Sequence, residues 1–254
     1  MNRIKDIIIV ILTIAVTGLG LALILRKPET AVTESSAEIQ IQTTETQTEP
    51  TEQTEVLHNG NELFEDMESG MSFCFAGDSI TAGSAYEGAL PWYEPLTPYI
   101  RGEVSNFSMG GWTSSWLVNM SYELPASDVY VIAIGINDVL FIDQPLGAGS
   151  AEEFDTNLGL FEEAIRNVSP DAKIYYIAVW PFLDQDPSAY ECKDDFDNVI
   201  RGRCNGEDII FIDPTETILN VLNSSDPSVY MWNEYHPSTP EGIDLYSYAV
   251  LTSG

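Results

Sequence analysis

A short, mainly apolar run at residues 72–76 leads directly into Gly77-Asp78-Ser79-Ile80. The run has the length of a buried strand, and the glycine marks a tight turn at its end. A serine held in such a turn is exposed as a nucleophile, provided a neighbouring base takes its proton. The chain has two histidines, His58 beside a polar segment and His236. His236 is therefore the imidazole base that the sequence offers to Ser79. A G-x-S-x-G elbow is excluded, because Thr81 stands where its final glycine belongs.

Outward from this turn, further apolar runs recur at residues 104–107, 129–134, 174–180 and 209–212. Several are apolar at consecutive positions, the pattern of strands covered on both faces. Helical patterns alternate with them. Phe154, Leu158, Phe161, Ile165 and Val168 fall on one helical face, and Ser150 with Glu153 predicts a capping box ahead of them. Phe196, Val199 and Ile200 predict a second helix, covering 193–203, before the last strand. The alternation predicts an α/β domain with a five-stranded parallel sheet and right-handed crossovers. In open parallel sheets, ligands bind beyond the carboxyl ends of the strands. Ser79, Gly111 and Asn137 follow the first, second and third strands; Trp180 and Phe182 end the fourth, and Asp213 closes the fifth. The chemistry-bearing residues thus gather on one edge.

The chain of 254 residues carries 10 basic and 40 acidic residues, a formal charge of −30. Four of those basic residues lie at or before Lys27, so the remainder of the chain is more acidic still. Such a field repels phosphate backbones, and no nucleic-acid partner is expected. Neutral or cationic substrates are admitted more readily than anionic ones. Residues 7–25 carry no charge. As a helix they span ~28 Å, close to the ~30 Å hydrocarbon core of a bilayer. They are predicted to be a transmembrane signal-anchor; a cleaved signal peptide is the alternative, although residues 23–27 offer no small-residue cleavage site. Residues 26–68, rich in Thr, Glu and Gln over most of their length, are read as a disordered linker and residues 69–254 as the folded domain. The expected location is the cell membrane, single-pass, with the domain extracellular; a cytosolic tether is the other possibility. Cys74 is read as a buried strand residue. A helix between Cys192 and Cys204 separates them by ~18 Å, beyond the ~7 Å limit of a disulfide. No cofactor is expected, Asn137-Asp138 resembles no metal site, and one histidine in the domain argues against a zinc centre.

Gly77-Asp78-Ser79-Ile80, the segment from Asn106 to Gly111, Gly135-Ile136-Asn137-Asp138 and His236-Pro237 resemble, in this order, the four signature blocks of SGNH hydrolases, also called GDSL esterases/lipases. The resemblance spans roughly residues 73–242. It implies a flavodoxin-like three-layer α/β/α sandwich and ester hydrolysis through a serine acyl-enzyme. It also implies an oxyanion hole built from the Ser79 and Gly111 N–H groups and the Asn137 side-chain amide. Asp78, in that pattern, stabilises the turn and points away from the reaction line.

One position departs from the family. Its usual acid three residues before the histidine is here Asn233, within Trp232-Asn233-Glu234-Tyr235-His236-Pro237. Asn233 as a weaker orienting group, Glu234 or Asp213 in its place are the alternatives, with Asn233 facing the imidazole preferred. Trp112 and Trp180 are read as an aromatic wall lining the substrate, Trp92 and Trp116 as core packing, and segment 84–90 as a border of the site. Together these features predict a membrane-anchored extracellular serine esterase. It would remove short acyl groups, acetyl among them, from a carbohydrate ester or another neutral small molecule. A lipase or lysophospholipase, an O-acyltransferase and a catalytically weak surface binding protein are the alternatives.

Overall fold

The structure, a computed structural model, describes residues 62–142, 147–183 and 187–253. The predicted signal-anchor at 7–25 and most of the predicted linker lie outside the described residues. Among the described residues no helix is long and apolar enough to cross a membrane.

Five parallel strands form one sheet: β1 (Phe73–Gly77), β2 (Val104–Ser108), β3 (Val129–Ala133), β4 (Lys173–Ile177) and β5 (Ile209–Ile212). Their order is β2-β1-β3-β4-β5, with in-register pairing such as Phe75 with both Asn106 and Val131. The chain moves one way from β1 to β2 and the other way from β1 through β3 to β5. The crevice between β1 and β3 is therefore the switch point at which such sheets bind ligands. β1 and β3 are buried at every residue, which explains their unbroken apolar sequences. The edge strand β2, Val-Ser-Asn-Phe-Ser, buries only Phe107 and alternates accordingly.

The helices are α1 (Glu62–Glu68), α2 (Ser79–Ala82), α3 (Ser114–Met120), α4 (Ile136–Leu140), α5 (Ala151–Val168), α6 (Pro187–Arg203), α7 (Thr215–Ser224), α8 (Pro227–Tyr230) and α9 (Glu241–Thr252). The capping expectation for α5 holds at its N-cap, where the Ser150 side chain accepts from the Glu153 N–H. α5 buries Phe154, Leu158, Phe161 and Ile165. Val168, expected on the same face, is exposed as the last residue of the helix. α3, α5 and α6 pack in series, while α7, α8 and α9 form a separate set. Between them the sheet is buried on both faces at its central strands β1 and β3.

α1 differs from the sequence expectation. Residues 62–68, read as the end of the linker, form a helix that buries Leu63, Phe64 and Met67. Its polar face is fixed as well. Glu62 and Asp66 reach Lys173 Nζ at 2.7 and 2.9 Å, and the Met67 carbonyl accepts from Arg101 N–H at 2.9 Å. Lys173 begins β4 and Arg101 precedes β2, so α1 lies at the amino edge of the sheet.

Candidate active site

Each site residue is positioned by the end of a different element. Gly77 closes β1, and a Cβ there would stand 2.3 Å from the Ala133 carbonyl oxygen. Only glycine permits so close an approach of β1 to β3. Asp78 then caps α2, its Oδ1 accepting from Ile80 N–H at 2.9 Å. This cap orients Ser79 as the first residue of a one-turn helix. Asp78 is fully buried and its Oδ2 makes no hydrogen bond among the described residues. Burial, with the charge of Asp138 adding to it, pushes the Asp78 carboxyl up to about 7.

His236 comes from the opposite part of the chain. Met231 and Pro237 form an antiparallel bridge, and Trp232 N–H donates to the His236 carbonyl at 2.9 Å. The resulting loop is held from outside by Leu183 N–H, which donates to the Glu234 carbonyl at 2.8 Å. It is held from behind by α9, whose Tyr246, Ala249, Val250 and Leu251 are all in the core. Segment 84–90 borders the loop as expected: Tyr86 Oη donates to Thr239 Oγ1 at 3.2 Å and Leu90 N–H to the same oxygen at 3.3 Å.

Ser79 Oγ and His236 Nε2 lie 2.9 Å apart. On the far side of the ring, Nδ1 lies 3.1 Å from Asn233 Oδ1. The same Asn233 atom receives the Tyr235 N–H at 2.9 Å and the His236 N–H at 2.8 Å. Two backbone donors aimed at one atom require it to be the amide oxygen, not the NH2. An amide oxygen only accepts, so Nδ1 carries the proton and Nε2 presents its lone pair to Ser79. Of the three alternatives, Asn233 is the group at the imidazole. Asp213 instead bonds Thr215 N–H and pairs with Arg201 at 3.4 Å. Burial lowers the His236 pKa below its usual 6.5.

The other residues expected of an oxyanion hole lie on two further loops. Gly111 has φ +82°, a left-handed conformation that favours glycine, and nothing lies within 4 Å of where its Cβ would be. The backbone there faces open space. The Gly111 and Ser79 N–H groups have no acceptor among the described residues. Asn137, in the first turn of α4, donates one Nδ2 hydrogen to the Trp112 carbonyl at 2.8 Å, leaving the second for a ligand. Asp138 fastens the two loops together. Its carboxylate accepts from Ser114 N–H at 2.9 Å and Ser114 Oγ at 2.7 Å, and burial raises it to about 6. Sequence reasoning gave Asp138 no role. The signal present was a short acid beside the oxyanion asparagine, but its partner lies 24 residues away.

The aromatic expectations need correction. Trp112 and Trp180 are 7% and 1% exposed. Trp112 packs edge-on against Phe107, and Trp180 lies between Trp92 and Tyr246. Both belong to the core rather than to an open wall. Apolar neighbours close at hand in the fold, invisible along the chain, decide this. Trp92 is buried as expected, whereas Trp116 is partly exposed. The exposed aromatic beside His236 is Trp232, which sequence reasoning quoted only as part of the histidine block. Cavities of about 650 and 640 Å³ lie elsewhere, the first at the amino edge around Ser72, Asp128 and Lys173.

A strand-end serine hydrogen-bonded to an imidazole, with backbone and amide donors offered from neighbouring loops, is the pattern of the serine-nucleophile hydrolases. Residues 75–240 match the model of the GDSL-like Lipase/Acylhydrolase family. The chain belongs to that family and is a serine ester hydrolase. Solved structures share the fold. An acetylxylan esterase from Geobacillus stearothermophilus is 23% identical with a TM-score of 0.57, over 72% of this chain and 94% of its own. A candidate GDSL-like lipase from Parabacteroides merdae is 18% identical with a TM-score of 0.58 over the same shares. An alpha/beta hydrolase enzyme from the metagenome of Lake Arreo is 20% identical with a TM-score of 0.56, over 71% and 93%. No curated protein matches the chain.

Proposed function

We propose that the chain is a membrane-tethered extracellular esterase that removes short acyl groups, such as acetyl, from carbohydrate through a Ser79–His236 acyl-enzyme. The observation that carries this reading is the 2.9 Å contact of Ser79 Oγ with a His236 Nε2 whose lone pair is freed by Asn233. As Oγ attacks the ester carbonyl, its proton passes to Nε2. The developing oxyanion meets the Ser79 and Gly111 N–H groups and the free Asn137 hydrogen. Each such donor is worth about 3 kcal/mol of transition-state stabilisation. The imidazolium then gives its proton to the departing alcohol. Water enters against the acyl-enzyme and the same groups act in reverse order, releasing the acid.

Short acyl groups are favoured because, among the described residues, neither cavity named above is lined by Ser79 or His236. Carbohydrate is supported by the acidic surface, which disfavours anionic substrates, and by the fold shared with an acetylxylan esterase. Membrane tethering rests on the uncharged stretch 7–25.

The test is labelling by a fluorophosphonate probe, followed by a p-nitrophenyl ester series. Wild type is expected to be labelled and to hydrolyse the acetate fastest, and Ser79→Ala to lose both properties. Labelling that persists in Ser79→Ala ends the mechanism; rates that climb with acyl length end the short-acyl assignment in favour of a lipase.

A further inference from the structure

We propose that Tyr86 and Trp232 form a stacking platform for a neutral sugar ring in the alcohol part of the ester, an assignment that rests on the esterase reading above. Trp232 is 54% exposed, and its backbone is fixed to that of His236 by the hydrogen bond already described. Its ring centre lies 6.4 Å from the imidazole. Tyr86, on segment 84–90, stacks on it at 4.6 Å with the planes 20° apart. The Tyr86 hydroxyl is anchored on Thr239. Two separate chain segments thus hold a pair of rings beside the catalytic base. Rings already locked in place lose little freedom when a ligand arrives.

The position assigns the platform to one half of the substrate. His236 must reach the leaving alcohol's oxygen to return the proton, while the Gly111 and Asn137 donors hold the carbonyl oxygen on the other side. The alcohol part therefore projects toward the histidine loop, where Trp232 and Tyr86 stand. The chemistry of the surface then selects the ligand. The pair, with Trp232 exposed and Tyr86 half-buried, offers an apolar face, and the indole of Trp232 brings an N–H donor at its rim. A pyranose matches both, presenting C–H groups to the ring face and hydroxyl oxygens to the N–H. A fatty chain needs a continuous apolar groove; here exposed Glu87 and Glu234 adjoin the pair in sequence. Acidic sugars meet a repulsive field from 40 carboxylates against 10 basic groups.

The experiment compares ethyl acetate with acetylated xylo-oligosaccharides. The ratio of kcat/KM for the sugar ester to kcat/KM for ethyl acetate is measured for wild type, Trp232→Ala, Trp232→Phe and Tyr86→Ala. Trp232→Ala and Tyr86→Ala are expected to lower the ratio about tenfold, and Trp232→Phe to restore most of it. A ratio unchanged in Trp232→Ala overturns the platform, because both esters then feel the ring only through His236. A choline ester losing rate in Trp232→Ala while the sugar ester does not overturns the sugar in favour of a cation. Sedimentation that finds a wild-type dimer and a Trp232→Ala monomer, with the ratio intact, assigns the pair to a contact between copies instead. Should wild type hydrolyse neither ester, the esterase reading fails by itself. The platform is then judged by calorimetric binding of unacetylated xylohexaose: binding lost in Trp232→Ala sustains it, and no binding to wild type rejects it.

Discussion

Asn233 occupies the place from which a carboxylate ordinarily supports the imidazole. In the serine-protease triad, Asp→Asn costs about 10⁴ in turnover by favouring the wrong tautomer. That loss does not apply here, because the Tyr235 and His236 N–H groups lock the amide oxygen toward Nδ1. What is absent is only the negative charge that would stabilise imidazolium. Asn233→Asp is therefore expected to raise kcat about tenfold or more and to move the acidic limb of the pH–rate profile to higher pH. The sign comes from the base: activity needs neutral His236 and is lost as pH falls through its pKa, which burial lowers and a neighbouring carboxylate would raise. Asn233→Ala should lower kcat about 100-fold; turnover near that of wild type would remove Asn233 from the site. Asp78 offers a second test. Its carboxyl titrates near 7 in the fold against about 3.8 in an ordinary setting, so the native state holds its proton over a range where the unfolded chain has released it. Stability contributed by this group is full below about pH 4 and declines as pH rises toward 7. Asp78→Asn keeps the oxygen that accepts from Ile80, and should flatten the fall of Tm between those pH values.

At the scale of elements, the site depends on clasps between loops. Asp138 ties the start of α4, which carries Asn137, to the start of α3, just after Gly111. Asp138→Ala frees both and should lower kcat with little change in KM, since the oxyanion donors are needed most in the transition state. A rise in KM alone would assign Asp138 to substrate binding. α1 is a stability element. Truncating Phe64, buried beneath it, to alanine should cost about 3–5 kcal/mol in denaturant unfolding. An effect under 1 kcal/mol would mean that α1 is not docked in solution. The strands, α5 with its serine cap and α6 were legible in the sequence because their signals are local: apolar runs, helical spacing and a hydroxyl before a carboxylate. α1 was not. Its seven residues are acidic on one face, and that acidity merged with the polar segment before it until Lys173 supplied a partner.

For the whole molecule, α1 and Ser79 stand at opposite ends of the parallel strands. A chain beginning at Glu62 should keep the wild-type kcat/KM on soluble esters, because Ser79, His236, Asn233 and Asn137 find their partners among residues 62–253. A large loss would show that the N-terminal segment takes part in substrate binding. The acidic balance acts at this scale too. Anionic esters should gain kcat/KM as salt rises and screens the field, while neutral esters should change little.

The sequence alone determined the parallel α/β sheet and singled out Ser79, His236, Gly111 and Asn137 as candidate site residues, because strand-end turns and their polar residues are written in contiguous blocks. Only the tertiary structure decided which group faces the imidazole, that Asp138 joins the two oxyanion loops, and which tryptophans lie inside. Those outcomes depend on contacts between segments far apart in the chain. Trp180 is buried by Trp92 and Tyr246, and Trp232 is left open beside His236, although both are the same residue type at the end of an element. Burial is a property of neighbours in space, and the spacing of letters along a chain does not carry it.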